Sequence, residues 1–262
     1  MNLLLRDKKA LVTAASKGIG QGVALALARE GCQVIITSSN QENLAQAVSV
    51  IETEAGMKAA AYVMDVSSAT SIRDATRRIL GDYQGIDILV TNSPGPTPTE
   101  AATVDLAAFQ SALYTNLISV VQLCRTFLPG MIERGFGRII NLTSSTGKEP
   151  DEGMVLSNVT RAGVLAYAKT LSREVAKHGV TVNSILTGSV MTERAIKLLQ
   201  GEAQALDVTY EEILAQAAQS IPAGYICTTE QFCHAIAFLA SPLSMYVNGV
   251  SLAIDGGYMK AI

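Results

Sequence analysis

Leu11-Val12-Thr13-Ala14-Ala15-Ser16-Lys17-Gly18-Ile19-Gly20 decides the fold: an apolar run breaks into a turn of small residues and then opens a helix. Small residues after a strand let the main chain approach a ligand closely, and the free N–H groups of a helix N-terminus attract negative charge. A pyrophosphate fits such a turn. Gly18 and Gly20 permit tight packing where the helix begins, and Ala24, Ala26 and Ala28 let it lie close to a sheet. Ala14 stands where a dinucleotide-binding turn ordinarily has its first glycine. The turn is therefore expected to avoid positive φ at that residue or to distort.

Outward from this turn, strand and helix patterns alternate. Ala10–Thr13 reads as a first strand, Gly18–Glu30 as a helix ended by Gly31, and Gln33–Thr37 as a second buried strand. The spacing then predicts helix Asn43–Ala55, strand Ala59–Val63 leading to Asp65-Val66, helix Ser71–Leu80 and strand Ile86–Val90. A long helix Asp105–Ile132, strand Arg138–Leu142, a long helix Val155–Lys177 and strand Val180–Leu186 follow. Residues 188–222 leave the pattern with two amphipathic segments, Glu193–Gln200 and Tyr210–Gln219, and read as a lid. Met191, Ile196, Leu198, Leu199, Ile213 and Leu214 are expected mostly to pack in the core, with one or two lining an apolar pocket. Helix Thr229–Ala240 and strand Val250–Ile254 close the chain.

This alternation predicts one domain over residues 1–262 of the α/β class: a doubly wound, seven-stranded parallel sheet with helices on both faces. Ligands in such sheets bind outside the carboxyl ends of the strands, where the first turn, Asp65, Asn92, Ser144 and Gly188 all fall.

Composition narrows the function classes. At 262 residues and 48% hydrophobic, the chain can bury a large core; a net charge of −3 without basic runs gives no footprint for nucleic acid. Apolar stretches are broken by polar groups before 18 residues, so no membrane span is expected. Met1–Leu5 is too short for a signal-peptide core and is followed by Arg6-Asp7-Lys8-Lys9, which predicts a cytoplasmic protein. Cys32, Cys124, Cys227 and Cys233 are scattered in apolar contexts and read as reduced packing residues. Cys227, Cys233 and His234 match no zinc spacing, so no metal is predicted. His178 reads as a helix-end residue, His234 as helix packing, and Glu149 and Asp151 as a solvated loop.

Together these landmarks resemble the short-chain dehydrogenase/reductase family from about residue 6 to the C-terminus, which implies a Rossmann fold. Thr13–Gly20 is similar to the family's TGxxxGIG turn, Asp65-Val66 to its adenine-contacting pair, and Asn92 to the second Asn of its NNAG motif. Asn116 resembles the helix Asn that organises a proton-relay water, and Ser144 the catalytic serine. Gly188, Val190 and Thr192 fall in a segment similar to PGxxxT, which holds the nicotinamide end. Asp255-Gly256-Gly257 resembles a C-terminal segment usually found at subunit interfaces, implying a homo-oligomer, tetramer or dimer.

Charge selects the cofactor. An acid after the second strand would bond a ribose 2′-hydroxyl and repel a 2′-phosphate. Thr37-Ser38-Ser39-Asn40 offers only hydroxyls and an amide, with Ser16 and the cation of Lys17 nearby in the turn, which favours NADP(H) over NAD(H).

The resemblance breaks at the reaction centre. The family's Tyr-x-x-x-Lys pair is here Ser157 and Arg161, and Tyr167 lies too far along the helix to substitute. A serine hydroxyl is too weak an acid to replace the phenol, whereas Arg161 can hold a ribose or an anion. Hydride addition to a conjugated enone needs no strong acid at oxygen, because the charge spreads into an enolate that Arg161, Ser144 or Asn116 can hold. Divergent members that deliver hydride to conjugated double bonds resemble this chain in Lys148-Glu149-Pro150 and in the Asp255–Lys260 tail. Two other readings stand beside this one: a ketone or 3-oxoacyl reductase using a water relay through Asn116, and a non-catalytic NADP(H)-binding sensor or assembly subunit.

Overall fold

A computed structural model describes residues 2–261. Strands β1 (Lys9–Val12), β2 (Gln33–Ser38) and β3 (Ala60–Val63) alternate with helices α1 (Gly18–Arg29), α2 (Gln41–Ala55) and α3 (Ala69–Tyr83). After β4 (Ile88–Thr91), α4 (Leu106–Leu113) runs through a π-helical turn, Tyr114–Ile118, into α5 (Ser119–Glu133). Then come β5 (Gly137–Leu142), α6 (Val155–Val175), β6 (Val180–Thr187), β7 (Val190–Met191), α7 (Glu193–Leu206), α8 (Tyr210–Gln219), β8 (Cys227–Thr228), α9 (Thr229–Ala240) and β9 (Ser251–Ile254).

Seven strands form one parallel sheet in the order β3-β2-β1-β4-β5-β6-β9, as the alternation predicts. Strand residues face opposite sides in turn. Ala10, Val12, Ile36 and Ile140 pack with Val23, Leu27, Phe232 and Ile236 from α1 and α9. Leu11, Ile35 and Ile139 pack on the other face with Ile72, Ile79, Phe127, Met131 and Val164. Two layers of helices thus cover a sheet whose strand order reverses between β1 and β4.

Helix ends follow local chemistry. Asn40, Ser68, Asp105 and Thr192 cap α2, α3, α4 and α7 through side-chain oxygens, and Thr209 and Thr228 close reciprocal capping boxes on α8 and α9.

Among the helices the structure differs from the sequence reading in several ways. The helix expected over Asp105–Ile132 is interrupted by the π turn, which places Asn116 inside it. The joined run Leu106–Glu133 has the length and mean hydropathy, 1.2, of a membrane-spanning helix. Its inner face, with Val120, Leu123, Cys124 and Phe127, belongs to the core. In the lid, Ile213 is buried but Met191, Ile196, Leu199 and Leu214 are half-buried and Leu198 is 64% exposed, so core packing describes one of the six. Helix α7 runs on to Leu206, ending at left-handed Asp207. His234 is exposed rather than packed.

Candidate active site

The cradle begins where β1 and β4 part. Thr13 Oγ1 donates to the Asn92 carbonyl at 2.6 Å and accepts the Asn92 N–H at 2.7 Å, while Asn92 Nδ2 donates to the Ala14 carbonyl at 3.1 Å. The two strand ends are thereby locked. Of the two alternatives, avoiding positive φ or distorting, the turn takes the second: Ala14 sits in the left-handed region at φ 46°. That conformation costs a non-glycine residue about 1–3 kcal/mol, and the bonds through Asn92 and from Ala15 N–H to the Thr37 carbonyl hold it. Gly20 is required by space: a Cβ there would lie 2.5 Å from the Ala14 carbonyl oxygen. Lys17 occupies the N-cap of α1 without a side-chain cap, and the first turn carries no acid, which leaves the helix N-terminus available to an anion.

Two hollows meet at Ala14, Lys17 and Pro94. One, of about 190 Å³, is lined also by Ser16, Ser38, Ser39, Asp65 and Val66. The other, of about 570 Å³, runs past Gly18, Ile19, Asn92 and Ser93 to Thr192, Arg194 and Lys197 on the lid. A larger hollow, about 830 Å³, lies beside Arg6 and Met57 and shares no residue with either. In the first hollow Ser16 Oγ donates to Ser38 Oγ at 2.9 Å. The Asp65 carboxylate accepts from the backbone and hydroxyl of Ser67. Asn40 is spent otherwise: its amide oxygen caps α2, so it does not line the hollow. Gly188 packs against Asp255, and Val190 is buried in β7; they carry the chain to Thr192 rather than lining the cavity.

At the reacting end the predicted residues fall into two networks. Asn116 Nδ2 donates to Ser93 Oγ at 2.8 Å and to the Pro94 carbonyl at 2.7 Å, so its N–H groups hold the 92–95 loop. Arg161 lies beneath the turn at Gly147, 6% exposed, with Nη1 directed at Ser93 Oγ (3.4 Å) and the Leu142 carbonyl (3.3 Å). Its Nε has no partner, and among the described residues no carboxylate pairs with it. Burial lowers its pKa to about 10. Buried Arg138, by contrast, donates to three backbone carbonyls.

The second network is a chain of hydroxyls. Ser144 Oγ accepts the Thr146 N–H at 3.2 Å and its hydroxyl at 3.1 Å, and Thr146 Oγ1 lies 2.9 Å from Ser157 Oγ. Sequence reasoning missed Thr146 and Ser93. The signal for the first was the density of hydroxyls over Thr143–Thr146. Tyr167 belongs to the α5–α6 side of the core, and the Tyr114 hydroxyl is turned to Gln122; neither supplies a phenol to the hydroxyl chain. Half-exposed Glu149 does more than sit in a solvated loop: it accepts the backbone N–H groups of Lys260 and Ala261, strapping the tail to the loop after Ser144.

The protein-family profile described as Enoyl-(Acyl carrier protein) reductase matches residues 13–259. A 3-oxoacyl-[acyl-carrier-protein] reductase of Vibrio cholerae is 34% identical over 253 residues, covering 97% of this chain and 98% of its own. The chain belongs to the short-chain dehydrogenase/reductase family. Another relative in this family, cyclohexanol dehydrogenase of a Rhodococcus species, is 32% identical over 98% of this chain and 97% of its own. Among solved structures, L-sorbose reductase from Gluconobacter frateurii, complexed with NADPH and L-sorbose, superimposes with a TM-score of 0.96 at 25% identity and full coverage of both chains. YwfH, an NADPH-dependent reductase involved in bacilysin biosynthesis, gives 0.91 at 25% identity, over 98% of this chain and 100% of its own.

Proposed function

We propose that this family member is an NADP(H)-dependent oxidoreductase that reduces a conjugated C=C–C=O group of a small molecule. Cofactor fit rests on three observations: the cradle that a Cβ at Gly20 would fill, the uncapped N-terminus of α1, and the hollow where Ser16, Ser38, Ser39 and Lys17 meet without an acid on β2. Lys17 and the hydroxyls hold the 2′-phosphate, the Gly18–Gly20 turn the pyrophosphate, Asp65 and Val66 the adenine side, and Asn92 and Thr192 the nicotinamide side. NADPH, when bound, supplies the hydride.

The observation that carries the reaction type is Arg161, a buried guanidinium without a counter-ion, standing where the family has its lysine. It stabilises negative charge spread over an enolate and does not give up a proton at neutral pH. Ser144 donates to the enolate oxygen, and solvent protonates carbon. Ser157, in the tyrosine's place, lies at the far end of the hydroxyl chain. Reduction of an isolated ketone leaves a localised alkoxide that needs a proton, and the Nδ2 donors of Asn116 are engaged by Ser93 and Pro94. The 3-oxoacyl reductase relatives favour that second reading.

NADPH oxidation with 2-cyclohexen-1-one and with cyclohexanone separates the two. Turnover of the enone alone supports conjugate addition, and equal rates overturn it. NADPH binding without oxidation over a broad panel supports the non-catalytic reading. A homo-oligomer, as tetramer or dimer, is supported by apolar side chains left open at β9 and before it, including Met245, Tyr246 and Leu252. A cytoplasmic location belongs to the same proposal.

A further inference from the structure

Of the three hydroxyls in the chain Ser144–Thr146–Ser157, Ser144 alone is partly exposed; Thr146 and Ser157 are buried at 5% exposure each. A hydroxyl has one hydrogen to donate and two lone pairs to accept with. The Thr146 N–H already fills one lone pair of Ser144 whatever the hydroxyl protons do.

Two proton orders are possible along the chain. If Ser144 donated to Thr146 and Thr146 to Ser157, the Ser157 proton would be buried with no acceptor, since Thr146 is the single partner of its Oγ among the described residues. A buried unsatisfied donor costs about 1–3 kcal/mol. In the opposite order Ser157 donates to Thr146 and Thr146 to Ser144, and every interior proton is satisfied. Both lone pairs of Ser144 are then filled, and its hydrogen is left to point away from the chain, toward the exposed side of Ser144.

We infer that Thr146 is a positioning residue that fixes Ser144 as a hydrogen-bond donor to the reacting oxygen. The role rests on the reading above that Ser144 meets an enolate. The chain ends inside the protein at Ser157, so it orients a donor and conducts no proton from solvent.

The test measures kcat and KM with NADPH and 2-cyclohexen-1-one for Thr146→Val, Thr146→Ser, Ser144→Ala and the Thr146→Val/Ser144→Ala pair, with crystal structures of wild type, T146V and T146S. Thr146→Val is expected to lower kcat about tenfold, less than the ~10²–10³ of a deleted oxyanion donor, with KM little changed. Thr146→Ser should restore most of it. In the Ser144→Ala background Thr146→Val should add nothing, because its effect passes through Ser144. An unchanged or faster T146V, or full additivity in the pair, overturns the role. If the wild type leaves the enone untouched, the functional reading fails by itself and the structures decide the positioning role. One Ser144 rotamer in wild type and T146S, but several in T146V, upholds it; one rotamer in all three overturns it.

Discussion

Replacing Arg161 by methionine removes a buried cation while keeping an unbranched side chain. Burial lowers the guanidinium pKa from 12.5 to about 10, and at about 1.4 kcal/mol per pKa unit this corresponds to a desolvation cost on the order of 3 kcal/mol. Against it stand two hydrogen bonds, at 3.3 and 3.4 Å, each at the long end of the range. They offset about 1–2 kcal/mol in sum. The protein without cofactor should therefore gain roughly 1–2 kcal/mol, seen as a rise in Tm of about 2–4 °C at this chain length. The same variant should lose turnover of 2-cyclohexen-1-one and show a smaller rise in Tm on adding NADPH than the wild type does. Thermal unfolding followed by circular dichroism, with and without NADPH, reads both effects. A folded variant whose Tm falls would refute the reasoning, because Arg161 would then be a structural residue satisfied by its surroundings.

Ala14→Gly should relieve the left-handed strain at φ 46° and stabilise the protein by about 1 kcal/mol, without weakening NADPH binding measured by fluorescence titration. Of the four free cysteines only Cys227 is not buried, so a thiol reagent should label Cys227 first in the native protein and Cys32, Cys124 and Cys233 only on unfolding. Burial raises those three thiols from 9.0 to about 12. Their contribution to stability is complete below pH 9 and lost as pH rises through 12, whereas Arg161 acts in the opposite sense between about 10 and 12.5. Tm should fall from pH 9 upward, and less steeply in Cys124→Ala. Leu252→Lys, on exposed β9, should shift the mass measured by light scattering toward the monomer; an unchanged mass would remove β9 from the subunit interface.

The fold was readable from the turn at Thr13–Gly20 and the alternation behind it, because buried parallel strands and their crossover helices leave a strong periodic signal. Ala14 left two alternatives open because sequence shows the absence of a glycine but not the Asn92 bond that holds the strained turn. Asn116, Ser144, Ser157 and Arg161 do converge on one end of the sheet. Their partners were hidden: Ser93 and Thr146 are ordinary hydroxyl residues until the fold brings Asn116, Arg161 and Ser157 against them. The strap at Glu149 was hidden in the same way, since its partners are backbone groups about 110 residues away in sequence. The apolar side chains of the lid were read mostly as core because amphipathic spacing cannot distinguish a helix packed on a sheet from one lying over a cavity.

The π turn at Tyr114–Ile118 has a consequence for how the gene can change. A π turn carries one more residue than the α-helix it interrupts, and removal of one codon within it would restore a regular helix. One flank would then have to rotate by about 100° and shift by about 1.5 Å, turning Asn116 away from Ser93 and Pro94. Point changes in the outer face of this helix are tolerable, but a single in-frame deletion there would disconnect the reacting end of the sheet from the loop that shapes it.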